Sequence, residues 1–157
     1  MSRDAHTGPA ATYLLILSER EALAWVMEKE RMAFPARQSA EVTSPVRVLD
    51  ESVTIAGRDF TRGCDLKVER VTPYRTGVEV TPLVPELEIF PDTRPGAWTV
   101  RIRRPLLRLG GADTELLTRR LEAVVGDPAE LVPEYVERVR EAVQGRRVVA
   151  ESSQAAG

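Results

Sequence analysis

Five guanidiniums fall within fifteen residues of this chain, at Arg94, Arg101, Arg103, Arg104 and Arg108. Arg101 and Arg103 alternate with Trp98, Val100 and Ile102, so on a strand they share one face. With Arg104 beside them they make a basic band. Such a band can grip a phosphate backbone, because guanidinium groups offer permanently charged bidentate contacts, and nearby rings can stack on bases. The competing reading is a solvated strand face whose arginines pair with Glu79, Glu86 and Glu88. Trp25 and Trp98 are open to the same choice between core anchor and stacking platform. Other chemistry is poorly provided for. His6 is the only histidine and lies in a polar tail with Gly8-Pro9, so the ordered chain lacks the commonest general base and transition-metal ligand. Cys64 is the only cysteine, which excludes an internal disulfide and, within one chain, a cysteine-based zinc site. It alternates with Leu66 and Val68 and is expected to point inward and to be inert. No phosphate-binding glycine loop, dinucleotide fingerprint or nucleophile elbow is present. No catalytic residue, cofactor or metal is expected, and the chain reads as a non-enzyme.

A length of 157 residues with 43% hydrophobic side chains suits one domain with one core. The formal net charge of -2 provides no global basic field, so any nucleic-acid surface must be local. Twenty of the 22 basic residues are arginine, which a GC-rich coding bias explains better than function does, since Ala, Val, Gly and Pro are also abundant. No apolar run reaches transmembrane length, and residues 1–17 lack the order of a signal peptide; no membrane partner and a cytoplasmic location are expected.

The elements that must position these groups begin with Tyr13-Leu14-Leu15-Ile16-Leu17, an apolar run expected to be a mid-sheet strand. Ser18 and Glu21 have the spacing of a capping box, so a helix should start there and end near Met32, ahead of Phe34-Pro35. Leu23, Val26 and Met27 line one face of that helix. Strands are expected at residues 41–43 and 46–49, with a kink at Ser44-Pro45. Others are expected on either side of Ala56-Gly57, at residues 64–69 and 78–80 as a pair, and at 98–103. A helical turn or two is expected within residues 82–90. Two helices should follow. One spans residues 113–125, with Leu117, Leu121, Val124 and Val125 on one face and Gly126 as its stop. The other starts at the Asp127-Pro128-Ala129-Glu130 cap and ends at Gly145. They should form an antiparallel pair packed on the sheet or on a second subunit.

Tyr13 to Glu19 resembles the opening strand of EVE domains, members of the PUA-like group of small β-barrels, in which an apolar strand with an early aromatic runs into Ser-Glu. Ala36-Arg37-Gln38 is similar to the Ala-Arg-Asn after that family's first helix. Val42-Thr43-Ser44-Pro45-Val46, Pro82-Leu83-Val84-Pro85 and Arg104-Pro105-Leu106-Leu107 resemble a bacterial EVE-like subgroup. The likeness covers about residues 13–121. Between the first helix and Val42 such domains carry a Gly-Asp turn, an aromatic strand and a glycine-rich segment, where here only residues 37–41 stand. Part of the usual barrel is therefore missing. The implied fold is α+β: a small PUA-like, mostly antiparallel β-barrel or open curved sheet, with a helix after the first strand and a C-terminal helix pair. The implied organisation is a β-rich domain at residues 12–109, a helical pair at 112–145, and disordered tails at 1–11 and 146–157.

The resemblance also implies a binding module that takes a modified base of DNA or RNA out of its stack into a pocket beside the first helix. Carried over by position, Ser18, Arg37 and Gln38 would be polar pocket contacts and Trp25 and Trp98 stacking groups. Arg94, Arg101, Arg103 and Arg104 would hold phosphates. The alternative from another class is an interaction protein, a homodimer included, whose partner docks on the valine-rich face of residues 127–144.

Overall fold

A computed structural model describes residues 11–34, 47–104 and 106–156. The chain is mixed α+β, and its two small antiparallel sheets do not close into a barrel among the described residues. Contacts divide it into two units, residues 1–16 with 80–117 and residues 17–79 with 118–157. The strand expected at residues 41–43 lies outside the described residues.

In the first unit β1 (Thr12–Leu15) pairs antiparallel with β5 (Leu106–Leu109), setting Leu14 opposite Leu107 and Leu15 opposite Leu106. The mid-sheet position expected of β1 is not observed, since β5 is its one strand partner among the described residues. Only Ile16 in the apolar run is β-branched, and pairing stops before it. The expected helical turn is a 3₁₀ helix at Thr81–Glu86. Pro82 and Pro85 suit it, because proline fixes the required φ and a short 3₁₀ turn gives up few backbone bonds to the missing N–H. Leu83, Val84, Leu87, Ile89 and Phe90 are buried behind it.

Residues 98–103 correct the strand expectation. Trp98–Arg103 is a 3₁₀ helix. The alternating pattern fits a strand, but a strand needs a neighbour to take its amides. These amides bond locally instead, Val100 N to Ala97 O at 3.3 Å and Arg104 N to Arg101 O at 3.1 Å. Pro95-Gly96, with Gly96 at φ +82°, turns the chain into it. Trp98 meets Phe90 edge to face at 5.6 Å. The unit is tied together by Asp113, 2% exposed in the first turn of α2 (Gly111–Glu122). Its carboxylate accepts from Glu88 N at 2.8 Å and Ile89 N at 2.9 Å, so a buried anion is matched by two amides.

In the second unit α1 (Arg20–Lys29) starts one residue later than the capping box requires. Glu19 is its N-cap, neither Ser18 nor Glu21 caps it, and Ala24, Val26 and Met27 are buried. It also ends early. Glu30 sits in the left-handed region at φ 47°, and Arg31–Phe34 is a strand, β2, rather than the last turn of the helix. Met32, Ala33 and Phe34 are all buried there, a gain that one more helical turn with a single inward face could not match. Glu30 also holds the corner: its carbonyl accepts from Leu66 N at 2.9 Å and its carboxylate from Val68 N at 3.2 Å.

β2 pairs with β4 (Arg58–Asp65), which pairs with β3 (Arg47–Ile55), giving the order β2-β4-β3. The β3–β4 hairpin turns on Ala56 at φ 49° and Gly57 at φ 76°, the two positive φ values a two-residue turn of this kind demands. The strand expected at residues 64–69 survives only to Asp65 as the end of β4, and residues 78–80 form none. Past Asp65 the backbone turns to Glu30 instead, so the expected pairing has no first strand. The turn between them is present: Thr76 N donates to Pro73 O at 2.9 Å with Arg75 at φ 61°.

The Asp127 cap is observed. Its side chain accepts from Ala129 N at 2.9 Å at the start of α3 (Pro128–Ala155). Neither expected glycine stop holds. α2 ends at Glu122, and Gly126 instead donates its N–H to Val71 O at 2.9 Å. α3 runs through Gly145 and through residues 146–155, where a disordered tail was expected. One interior glycine costs about 1 kcal/mol against alanine, too little to break a helix flanked by Glu141, Ala142, Arg146 and Arg147. The expected α2–α3 pair is replaced by α1 and α3. They run antiparallel, with Glu28 by Arg140 at 4.0 Å and Glu21 by Arg146 at 3.7 Å. Val139 is buried on this face while α2's Leu117 and Leu121 stay half-buried, so α1 offers the better apolar match.

Two stability measurements follow from these contacts. Asp113→Ala leaves two amides unpaired and should lower the unfolding free energy in urea by about 3 kcal/mol; a change below about 0.5 kcal/mol would mean that the clamp is dispensable. Ala56→Asn places a residue tolerant of the left-handed region at a turn position that requires it, and should raise stability by about 0.5–1 kcal/mol.

Candidate functional site

A cleft of about 390 Å³ opens at the start of α1. Ser18, Glu19, Arg20 and Glu21 form one wall, Tyr74 belongs to the 73–76 turn, and Val139 and Arg146 come from α3. Local chemistry puts them there. Ser18 lies at the bend before α1 and Glu19 is its extended N-cap residue, neither side chain making a capping bond, and Tyr74 is presented by the turn closed from Thr76 to Pro73. The formal charges on the wall, Arg20 and Arg146 against Glu19 and Glu21, balance, so it favours polar, uncharged matter over a polyanion.

The Tyr74 ring is held by two groups that are not part of the cleft wall. Tyr135 meets it edge to face at 5.1 Å, and the Arg138 guanidinium lies 5.6 Å from its centroid. Burial pushes the Tyr135 phenol up, with Arg20 opposing the shift and Tyr74 adding to it. Arg138 is also fixed by Glu134 at 3.1 Å. A half-buried ring braced in this way keeps a set orientation, which is what a stacking surface needs.

The residues singled out from the sequence are distributed as follows. Ser18 is exposed and lines the cleft. Trp25 is half-buried on α1 and is not among the lining residues. Trp98 belongs to the other unit, against Phe90. Arg37 and Gln38 lie outside the described residues. Arg94 is engaged by Asp92, Nε to Oδ1 at 2.9 Å, and its guanidinium holds that carboxyl below the usual range. Arg101, Arg103 and Arg104 are exposed and make no ion pair or side-chain hydrogen bond among the described residues, so the expected pairing to Glu79, Glu86 and Glu88 is not seen. On a 3₁₀ helix residues three apart superpose, so Arg101 follows Trp98 along one edge instead of sharing a strand face with Arg103. The valine-rich face of residues 127–144 is occupied at Val139 by α1.

Tyr74 was missed by the sequence reading. An aromatic at the second position of a turn was the available signal, since turn geometry itself makes no use of a ring.

Among the described residues no group of three or more His, Cys, Asp or Glu side chains could hold a metal, and no helix is long and apolar enough to cross a membrane. Cys64, half-buried in β4, has its thiol pushed up by burial and then by the Asp65 carboxylate. A raised pKa means less thiolate at a given pH. Iodoacetamide should therefore modify native Cys64 several-fold more slowly than the urea-unfolded chain at mildly alkaline pH, and equal rates would contradict the shift.

No family model matches this chain, and neither the curated proteins nor the solved structures contain a match to it.

Proposed function

We propose that this chain is a non-catalytic nucleic-acid-binding module of EVE-like type that reads a modified base of DNA or RNA, with the cleft at the start of α1 as the base site. The observation that carries this reading is the shared wall of Ser18 and the braced Tyr74 ring. An extruded base presents a π-face and a polar edge, and is read by stacking and hydrogen bonds. A cleft of about 390 Å³ falls within the size range of small-ligand sites. Its balanced charge suits the base and leaves the phosphates to other groups. Within the other unit, and independently of the cleft, Arg101, Arg103 and Arg104 are exposed and make no ion pair among the described residues, which suits them to phosphate. Tyr74 takes the stacking role that the sequence suggested for Trp25 and Trp98.

The test is fluorescence-anisotropy titration of matched oligonucleotides, single- and double-stranded, with and without methylated or hydroxymethylated bases, at two salt concentrations. Tighter binding to one modified oligonucleotide is expected, with a discrimination that survives added salt. Tyr74→Ala should remove the preference at a cost of about 1–3 kcal/mol per stacked base. Arg101→Ala with Arg103→Ala should instead weaken all sequences together and flatten the salt dependence. Binding by folded Tyr74→Ala that retains the full preference would overturn the base site, and absence of binding at low salt would overturn the function.

A further inference from the structure

The wall of the α1 cleft is more particular than its overall neutrality. Glu21 and Arg146 stand 3.7 Å apart on it and offset one another. Glu19 and Arg20 are exposed, and their side chains make no hydrogen bond or ion pair among the described residues. Glu19 caps α1 through its backbone alone: its carbonyl accepts from Ala22 N at 3.1 Å and Leu23 N at 3.3 Å, and its carboxylate caps nothing. The wall therefore offers, at neighbouring residues, a free carboxylate with two acceptor oxygens and a free guanidinium with a planar fork of donors. Arg20 also stands close enough to Tyr135 for its charge to act on that phenol, and Tyr135 is the ring that meets Tyr74 edge to face. The guanidinium thus lies on the side of the cleft where Tyr74 stands.

A base seated there must meet both groups with its edges. A carboxylate is best matched by adjacent donors, and an arginine fork by adjacent acceptors. Guanine has both: N1–H beside the 2-amino group, and O6 beside N7, the acceptor pair that arginine most often reads in DNA. Adenine and thymine alternate donor and acceptor along their edges. Cytosine has only its single amino group to give to a carboxylate.

We propose that the base taken by this cleft is guanine, with Glu19 accepting from N1–H and the 2-amino group and Arg20 donating to O6 and N7. The assignment rests on the base-site reading above and narrows it. The opposite formal charges of Glu19 and Arg20 cancel, as an uncharged base requires. With those four positions engaged, a modification that the cleft accepts sits elsewhere, at C8 or on the sugar.

The test is fluorescence-anisotropy titration of the full chain with single-stranded oligonucleotides that differ only at one central base on a thymine background. Guanine at that position should bind about tenfold or more tightly than adenine, cytosine or thymine. Hypoxanthine, which lacks the 2-amino group, and 7-deazaguanine, which lacks N7, should each bind about fivefold or more weakly than guanine. Glu19→Gln should bring guanine and hypoxanthine close to parity and keep the difference between guanine and 7-deazaguanine; Arg20→Gln should do the reverse. Both side chains are exposed and make no capping bond, so the variants should keep the wild-type circular dichroism. A preference for another base, removed by Tyr74→Ala, overturns the guanine assignment and leaves the base site standing. Equal binding of all central bases, or a guanine preference that neither variant alters, also overturns the assignment. Absence of binding to every oligonucleotide overturns the assignment and the base-site reading together.

Discussion

Glu30 is the hinge on which the second unit depends. A non-glycine residue in the left-handed region costs on the order of 1 kcal/mol, and here the conformation turns the chain from α1 directly into β2. The cost is offset in place. The same residue accepts the Leu66 amide on its carbonyl and the Val68 amide on its carboxylate, which holds the exit of β4 against the end of the helix. With β2 started at Arg31, three successive apolar residues are buried against β4 and α1 takes a fixed direction. That direction decides where the start of α1, with Ser18 and Glu19, comes to stand.

From this corner the cleft follows by packing. α1 has a buried stripe at Ala24, Val26 and Met27 and needs a second apolar surface, which α3 supplies at Val139. The flanking pairs Glu21–Arg146 and Glu28–Arg140 are largely exposed and contribute little energy, but they identify an antiparallel alignment. α3 is far longer than α1, which leaves its C-terminal third unpacked. Its N-terminal half carries Tyr135 and Arg138, which brace Tyr74 from outside the cleft. One helix therefore serves as core element and ring support.

The first unit works by a different device. Its strands are short, and much of its backbone is 3₁₀ or extended, so regular ladders satisfy few of its amides. The Asp113 carboxylate takes over two of them at the point where Leu87, Ile89 and Phe90 enter the core. A buried carboxylate is tolerable there because charge-assisted bonds replace its water. The three arginines after Trp98 are left without acidic partners among the described residues.

Local chemistry was legible in the sequence wherever one residue type has one conformational use. The Asp127-Pro128 cap, the Ala56-Gly57 turn, the 73–76 turn and the proline-rich 3₁₀ segment are set by side-chain acceptors and by φ preferences within a few residues. Ser18 lines the cleft, a position that nothing in its neighbouring residues calls for. What the sequence left undecided depended on distant partners. Six alternating residues at 98–103 fit a strand and a 3₁₀ helix equally until the amides have or lack a neighbour. Met32-Ala33-Phe34 fit a helix end until β4 offers them burial, and the valine stripe of α3 suits a partner molecule until α1 covers it. Tyr74 in a turn says nothing of a cleft until Tyr135 and Arg138, more than sixty residues further along, are folded against it. Short patterns are degenerate, and only tertiary burial and long-range pairing select among the structures they permit.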